Sequence, residues 1–176
     1  WTPAEPGWGL DLLHQDDLLF GTWYSYAPED GKVMFLTVQA TRQDSNRYAG
    51  PVFRVRGTPF EQINGMQAFV SVEEVGQAEL RFDQTGQLNL VYTVFGSHQQ
   101  KQLQPFRFDP VAPSCWGSSA SRAGLSNYSD LWWNPRESGW GLTLAQQGEV
   151  LFALGYTNAE GGREQWLSAA RLLRQP

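Results

Sequence analysis

Apolar and polar positions alternate along most of this chain, and the alternation predicts short β-strands. In residues 8–15, Leu10, Leu12 and His14 fall on one face, as expected for a strand, whose side chains point alternately to opposite sides. Residues 18–26 follow after an acidic turn and carry apolar groups on both faces. That pattern favours a strand that is buried on both sides or that faces a ligand.

The same three-strand pattern occurs twice. A hairpin turn and a third strand at 33–40 complete the first unit, which opens with the phrase WTPAEPGWGL and returns later as WNPRESGWGL. Between residues 1–26 and 133–158, 12 of 26 positions are identical. Such self-similarity indicates an old internal duplication or two units of a longer array, with copy one at 1–41 and copy two at 130–173.

The residues between the copies, 47–108, continue the strand pattern. Pro51 lies within the first of these strands and predicts an edge strand or a bulge, because proline cannot donate a backbone hydrogen bond. Residues 78–96 have the pattern of a hairpin, and a further strand is expected at 100–108. The Pro/Ser/Gly-rich residues 109–129 are typical of a linker.

About ten short strands with tight turns predict an all-β fold, an antiparallel β-barrel or barrel-like sandwich. Helical patterns are limited to about one turn, at 60–65 or 169–174. The strands of copy two are expected to join the same barrel or sheet pair and to cover an otherwise open edge. The prediction is therefore a single β domain over 1–176.

Composition supports a folded globular protein and excludes some classes of partner. Hydrophobic residues make up 41% and charged residues 18% of the chain, and the net charge is −5. No basic run occurs, so nucleic acid is not expected as a partner. No stretch approaches the ~20 apolar residues of a membrane span. Cys115 is the one cysteine and is expected to be a buried thiol. No signal peptide is present, but the chain starts within its own motif, so we expect an upstream segment to have been removed.

The sequence gives little indication of a metal or cofactor site. His14 and His98 lack further ligands at a suitable spacing, and the acidic pairs at 16–17 and 29–30 are typical of solvated turn tips. We therefore expect no metal and no cofactor.

Two arginines alternate on one predicted strand. Arg54 and Arg56 share a face, and we expect them to form cross-strand ion pairs with Glu79 or Asp83.

The repeated WxPxExGWG phrase has a structural interpretation. Pro3 and Pro135 fix φ, while the glycines allow conformations that other residues avoid. The tryptophans would plug the end of a barrel, and Glu5 and Glu137 would accept hydrogen bonds from loop N–H groups or from an indole N–H.

The same residues also support a binding interpretation. Flat indole and phenol rings can line a groove and stack on sugar rings or aromatic ligands, while a nearby carboxylate orients hydroxyls or amines. Both interpretations hold together if one Trp of each motif is buried and the other is exposed. The candidate ligand-binding residues are Trp1, Trp8, Trp23, Tyr24, Tyr26, Trp133, Trp140, Tyr156, Glu5 and Glu137.

A third interpretation is catalytic. Glu5 and Glu137 would serve as the paired carboxylates of a glycoside hydrolase. Against it, an acid and a base need different environments to separate their pKa values, and duplicated motifs tend to give similar ones.

The string LWWNPRESGWGLTLAQQG, followed by LFALGYTN, resembles a repeat of predicted exported proteins of Gram-negative bacteria, whose pattern is WWNPxESGWGxNxxxQGxxxFxxWFTYDxxGxPxW. RYAGPVFRVRGTPF, the hairpin at 78–96 and the Cys115-Trp116-Gly117 linker resemble the rest of that unit. The resemblance covers nearly the whole chain and implies export and a β-rich module without an established activity. The chain departs from the pattern at Thr2, Pro6 and Gly155. A five-residue string, GTWYS, is also similar to the first strand of avidin-type barrels.

The leading prediction is a non-catalytic exported binding or interaction module, located in the periplasm, on the outer surface or outside the cell. Its ligand would be a glycan or a small aromatic compound. The alternatives are a structural or assembly module that contacts other repeats of the same protein, and the hydrolase.

Overall fold

The computed structural model describes residues 1–65, 69–108 and 127–173. It contains eleven strands in two antiparallel sheets, which confirms the all-β prediction. Most of the predicted linker and Cys115 lie outside the described residues. The strands are β1 Gly9–Gln15, β2 Leu18–Tyr26, β3 Val33–Arg42, β4 Arg47–Gly57, β5 Val70–Phe82, β6 Leu88–Val94, β7 Ser97–Leu103, β8 Asp130–Trp132, β9 Gly141–Gln147, β10 Val150–Asn158 and β11 Glu164–Leu173.

Strands β1 to β7 form one sheet in chain order, and this sheet curls into a half-barrel. Its two edges are linked beyond the strands, where the backbones of Trp1 and Gln104 exchange hydrogen bonds of 2.9 and 3.0 Å. Across the concave side, the rings of Trp23 on β2 and Tyr92 on β6 lie 4.7 Å apart, edge to face. The main core fills this concavity and includes Leu36, Val38, Val52, Leu80 and Leu90.

The second sheet has the order β11-β10-β9-β8 and packs on the convex face of the half-barrel. The layer between the sheets contains Phe35, Leu154 and Tyr156, with Tyr24 and Trp166 partly buried against them. This arrangement explains why β2 is apolar on both faces. Its odd-numbered residues face the concave core and its even-numbered residues face the second sheet, as the pattern predicts for a strand buried on both sides.

The two copies contact each other reciprocally. Tyr24 of copy one packs on Trp166 of copy two at 5.5 Å between ring centroids. Phe35 of copy one packs on Tyr156 of copy two at 5.7 Å. In the alignment of the copies, Tyr24 corresponds to Tyr156 and Phe35 to Trp166. The same kind of contact is therefore made twice, in exchanged roles, as approximate two-fold symmetry requires.

Several local expectations are resolved by the structure. Pro51 lies in a central strand, β4, so the edge-strand alternative is wrong. A shift of register follows it between Val52 and Phe53, with the extra residue on the neighbouring strand β5. Residues 60–65 contain a short 3-10 turn at Phe60–Gln62, whereas the described end of 169–174 belongs to β11.

The strand expected at 100–108 ends early, at Leu103. Beyond it, Pro105 has no N–H for a ladder, and the Gln147 side chain bonds the backbone at Phe106 and Phe108, at 2.8 and 3.1 Å. The end of this segment is therefore tied to β9.

The expected partners of Arg54 and Arg56 are wrong. Both arginines bind the carboxylate of Glu164, which is fully buried at the start of β11. Glu79 instead pairs with Arg47, at 3.2 Å. The reason is that Glu164 comes from the second sheet, so alternation within neighbouring strands carries no information about it.

Candidate functional site

The two WxPxExGWG phrases form corners with the same hydrogen bonds. The N–H of the motif glutamate bonds the carbonyl three residues earlier, at 3.3 Å for Glu5 and 3.0 Å for Glu137. The indole Nε1 of Trp140 donates to Glu137 at 3.3 Å, as the structural interpretation predicts. Lys101 binds Glu5 at 2.8 Å, and this bond, with a smaller contribution from the Trp8 indole, lowers the pKa of Glu5.

Glycine gives both corners their shape. Gly7 has φ of +102° and Gly139 has φ of +96°, values that side-chain-bearing residues rarely adopt. The following hairpin is repeated as well, because Asp16 and Gly148 occupy matching positions with φ of +50° and +57°. The duplication is thus conserved in backbone geometry, which supports a structural role for these motif positions.

The corner tryptophans differ between the copies. Trp133 is 61% exposed, and Trp140 is partly buried beside Glu137. In copy one both Trp1 and Trp8 are partly buried, and both line a cavity. The expected division into one buried and one exposed Trp therefore describes copy two better than copy one.

This cavity has a volume of about 640 Å³ and lies around β1, where the half-barrel meets the second sheet. Its walls are largely aromatic and aliphatic. Besides the phenol and indole groups of the aromatic residues, four residues contribute polar side chains: Asp11, Gln104, Gln147 and Ser168. The aromatic residues that line it are Trp1, Trp8, Tyr24, Phe82, Phe106, Phe108, Phe152 and Trp166.

Asp11 is the acidic group of the cavity. Among the described residues, its Oδ2 atom is buried and has no hydrogen-bond partner. Burial raises the pKa of Asp11 from 3.8 to about 6, although the ammonium at residue 1 acts in the opposite direction. Burial and the nearby Asp11 charge also raise the pKa of Tyr24 to about 12. The cavity therefore holds a carboxyl group with an unpaired buried oxygen, and the ammonium at residue 1 acts on it without a hydrogen bond to that oxygen.

A second polar atom in the lining is also unpaired. The indole Nε1 of Trp1 is buried and has no acceptor within the described part of the chain. Buried indole N–H groups usually have a partner, so the cavity wall offers one unused donor as well as one unused acceptor.

The structure brings three of the predicted binding residues together, Trp1, Trp8 and Tyr24. Trp23 is buried in the concave core and Tyr156 between the sheets. The remaining candidates lie elsewhere: Tyr26 is 47% exposed, and Trp133, Trp140, Glu5 and Glu137 are at the corners.

Sequence reasoning missed Asp11, Trp166 and the aromatic residues of 105–108 as site residues. Asp11 sits at a position that alternation leaves ambiguous, because both faces of β1 are covered. One signal was available: copy two has Thr143 at the position of Asp11. A carboxylate present in one copy alone is not required by the shared fold.

Other chemistry is limited in the described residues. They contain no group of three or more His, Cys, Asp or Glu side chains that could hold a metal ion. Within them, too, no helix is long and apolar enough to cross a membrane. Glu5 and Glu137 each have a separate partner, Lys101 and Trp140.

Comparisons with protein-family models, curated proteins and solved structures give no match to this chain.

Proposed function

We propose that this protein is a non-catalytic binding module that holds a small aromatic compound in the cavity around β1. The observation that carries the proposal is a cavity of about 640 Å³ with walls of Trp, Tyr, Phe and Leu and few polar groups. Small-molecule sites typically have volumes of about 300–1,000 Å³, apolar walls and a small number of polar contacts. The cavity has these properties.

The polar content of the walls favours an aromatic compound over a glycan. A sugar presents many hydroxyl groups, and each needs a partner when it leaves water. The amide of Gln147 is already used to hold Phe106 and Phe108. Asp11, Gln104 and Ser168 remain as the other non-aromatic polar side chains of the described lining, beside the Tyr24 hydroxyl and the Trp1 indole N–H, which suits a ligand with few polar atoms.

Export and assembly complete the proposal. The resemblance to the exported bacterial repeat supports an exported protein in which further copies of the unit are present. The structural alternative is compatible with it, because the copy-two corner residues Glu137 and Trp140 lie outside the cavity wall, whereas the copy-one corner contributes Trp1 and Trp8 to it.

The test is a fluorescence titration with N-phenyl-1-naphthylamine, a neutral aromatic probe that becomes emissive in apolar surroundings. The wild-type protein is expected to bind it saturably at one site. Ala145→Phe adds a ring at the cavity wall and is expected to weaken binding at least about tenfold through steric overlap. Ala169→Phe, at an exposed position of β11, is the matched control and should bind as the wild type does.

Near-UV circular dichroism checks that both variants are folded. Absence of saturable binding to the wild-type protein, or equal binding by the two variants, would contradict the proposal.

A further inference from the structure

The described side chains that line the cavity include a negative charge and no positive one. Asp11 is the one carboxylate among the described lining residues, and that lining includes no Lys, Arg or His. The α-amino group of Trp1 bonds the carbonyl of Gln104 at 3.0 Å, and no ion pair to Asp11 occurs in the described part of the chain. The described side chains of the lining therefore carry a single negative charge in apolar surroundings, and the α-amino group of Trp1 acts on it without forming an ion pair.

A second buried carboxylate shows how this fold treats an acid that serves the structure alone. Glu164 is fully buried, and it is bound by both Arg54 and Arg56. Such pairing is the rule, because an unpaired charge in the interior is strongly unfavourable. Asp11 departs from this rule, and it does so in the wall of a cavity large enough for a ligand.

The aromatic walls suit a cation. The rings of Trp1, Trp8, Tyr24 and Trp166 line the same cavity as Asp11, and indole and phenol faces attract ammonium groups through their negative quadrupole. The same faces pack well against an aromatic ring. A carboxylate combined with aromatic walls complements a molecule that is both positively charged and apolar.

We infer that the ligand is a protonated amine on an aromatic body, and that the carboxylate of Asp11 binds its ammonium group. This inference rests on the proposed function, since it assigns a chemical class to the ligand of the same cavity. The ligand supplies the direct ion-pair partner that Asp11 lacks among the described residues. It also explains why copy two, which does not line the cavity at the matching position, has the neutral residue Thr143 there.

The experiment compares three compounds with one skeleton by isothermal titration calorimetry: 2-(2-naphthyl)ethylamine, 2-(2-naphthyl)ethanol and 3-(2-naphthyl)propionate. At about pH 8 the amine is expected to bind wild-type protein about 10- to 100-fold more tightly than the alcohol, the range of a hydrogen bond to a charged group. The propionate should bind most weakly, because it repels the carboxylate.

Two variants remove the charge. Asp11→Asn keeps the shape, and Asp11→Thr introduces the residue that copy two already accommodates. In either variant the advantage of the amine over the alcohol should fall to about twofold or less, since no ionised partner remains. Asp16→Asn removes an exposed charge from the same hairpin and should leave the advantage unchanged.

The outcomes separate the two proposals. If the alcohol and the amine bind the wild-type protein equally, or if both Asp11 variants keep the preference for the amine, the inference is overturned while the aromatic binding site stands. If none of the three compounds binds, the binding function itself is contradicted.

Discussion

At the scale of single residues, the carboxyl of Asp11 belongs to the proposed binding site and lowers the stability of the folded protein. Its carboxyl has a raised pKa in the folded protein, about 6 against 3.8, so the folded state favours the protonated form. Folding is therefore penalised once the carboxyl ionises. The difference between the two pKa values corresponds to a destabilisation of about 3 kcal/mol. This destabilisation is absent at low pH and fully present above about pH 6.

The variant Asp11→Asn should reveal this penalty. Near pH 4 it should have about the same free energy of unfolding as the wild type, and at about pH 8 it should be up to about 3 kcal/mol more stable. Urea unfolding at the two pH values measures the difference. Equal stability at the higher pH would mean that the carboxylate of the unliganded protein is neutralised.

Glu164 is the opposite case, a buried acid that stabilises the fold. It holds Arg54 and Arg56 of the half-barrel against the second sheet. Glu164→Gln should lower the free energy of unfolding by about 3 kcal/mol, because among the described residues it leaves the buried Arg54 with Glu29 as its one anionic partner. Glu79→Gln, at a partly exposed pair with Arg47, should cost less than about 1 kcal/mol. Urea unfolding of both variants at neutral pH measures the two decreases in the free energy of unfolding. Equal decreases would contradict this prediction.

At the scale of strands, β4 illustrates how a close approach of two strands depends on a glycine. The ladder between β3 and β4 stops after Val38–Val52 and resumes at Thr41–Ala49, where Pro51 cannot donate a hydrogen bond. In this gap the two backbones approach closely. A Cβ atom on Gly50 would lie 2.0 Å from the carbonyl oxygen of Gln39, so an added methyl group would push the strands apart.

Two glycine substitutions in strands should therefore have opposite effects. Gly50→Ala should destabilise the protein by about 3 kcal/mol or more through overpacking against backbone. At Gly155 in β10 the nearest atom to an added Cβ is 3.9 Å away. Gly155→Ala should stabilise by about 0.5 kcal/mol, because it restricts the unfolded chain. Thermal and urea unfolding measure both, and a destabilising Gly155→Ala would show that the strand needs glycine for another reason.

Strand-level features were the most predictable from the sequence. Alternation located β1, β2 and β3, and the duplication located their counterparts in copy two, because each rests on residues close together in the chain. The segment after Leu103 was mispredicted, since the hydrogen bonds of Gln147 that hold it come from 41 and 39 residues away. Chain-local patterns do not contain that information.

At the scale of the whole molecule, the sequence predicts some residues of the site but not how they come together in space. Trp1, Trp8 and Tyr24 were recognisable as binding residues because of their rings and their repeated motif. Asp11 lies on the strand next to Tyr24 in the same sheet. Trp166 joins them only when the second sheet packs on the first, which also brings Glu164 to Arg54, 110 residues earlier in the chain. Packing between sheets depends on the complementarity of whole faces, and a single strand pattern does not specify it.

The exchanged aromatic contacts between the copies have a consequence for substitutions in the repeated unit. Tyr24 on Trp166 and Phe35 on Tyr156 are the two halves of a self-complementary surface, the arrangement found in homodimers. In such an arrangement a change made at one position of the repeat in both copies alters both contacts at once.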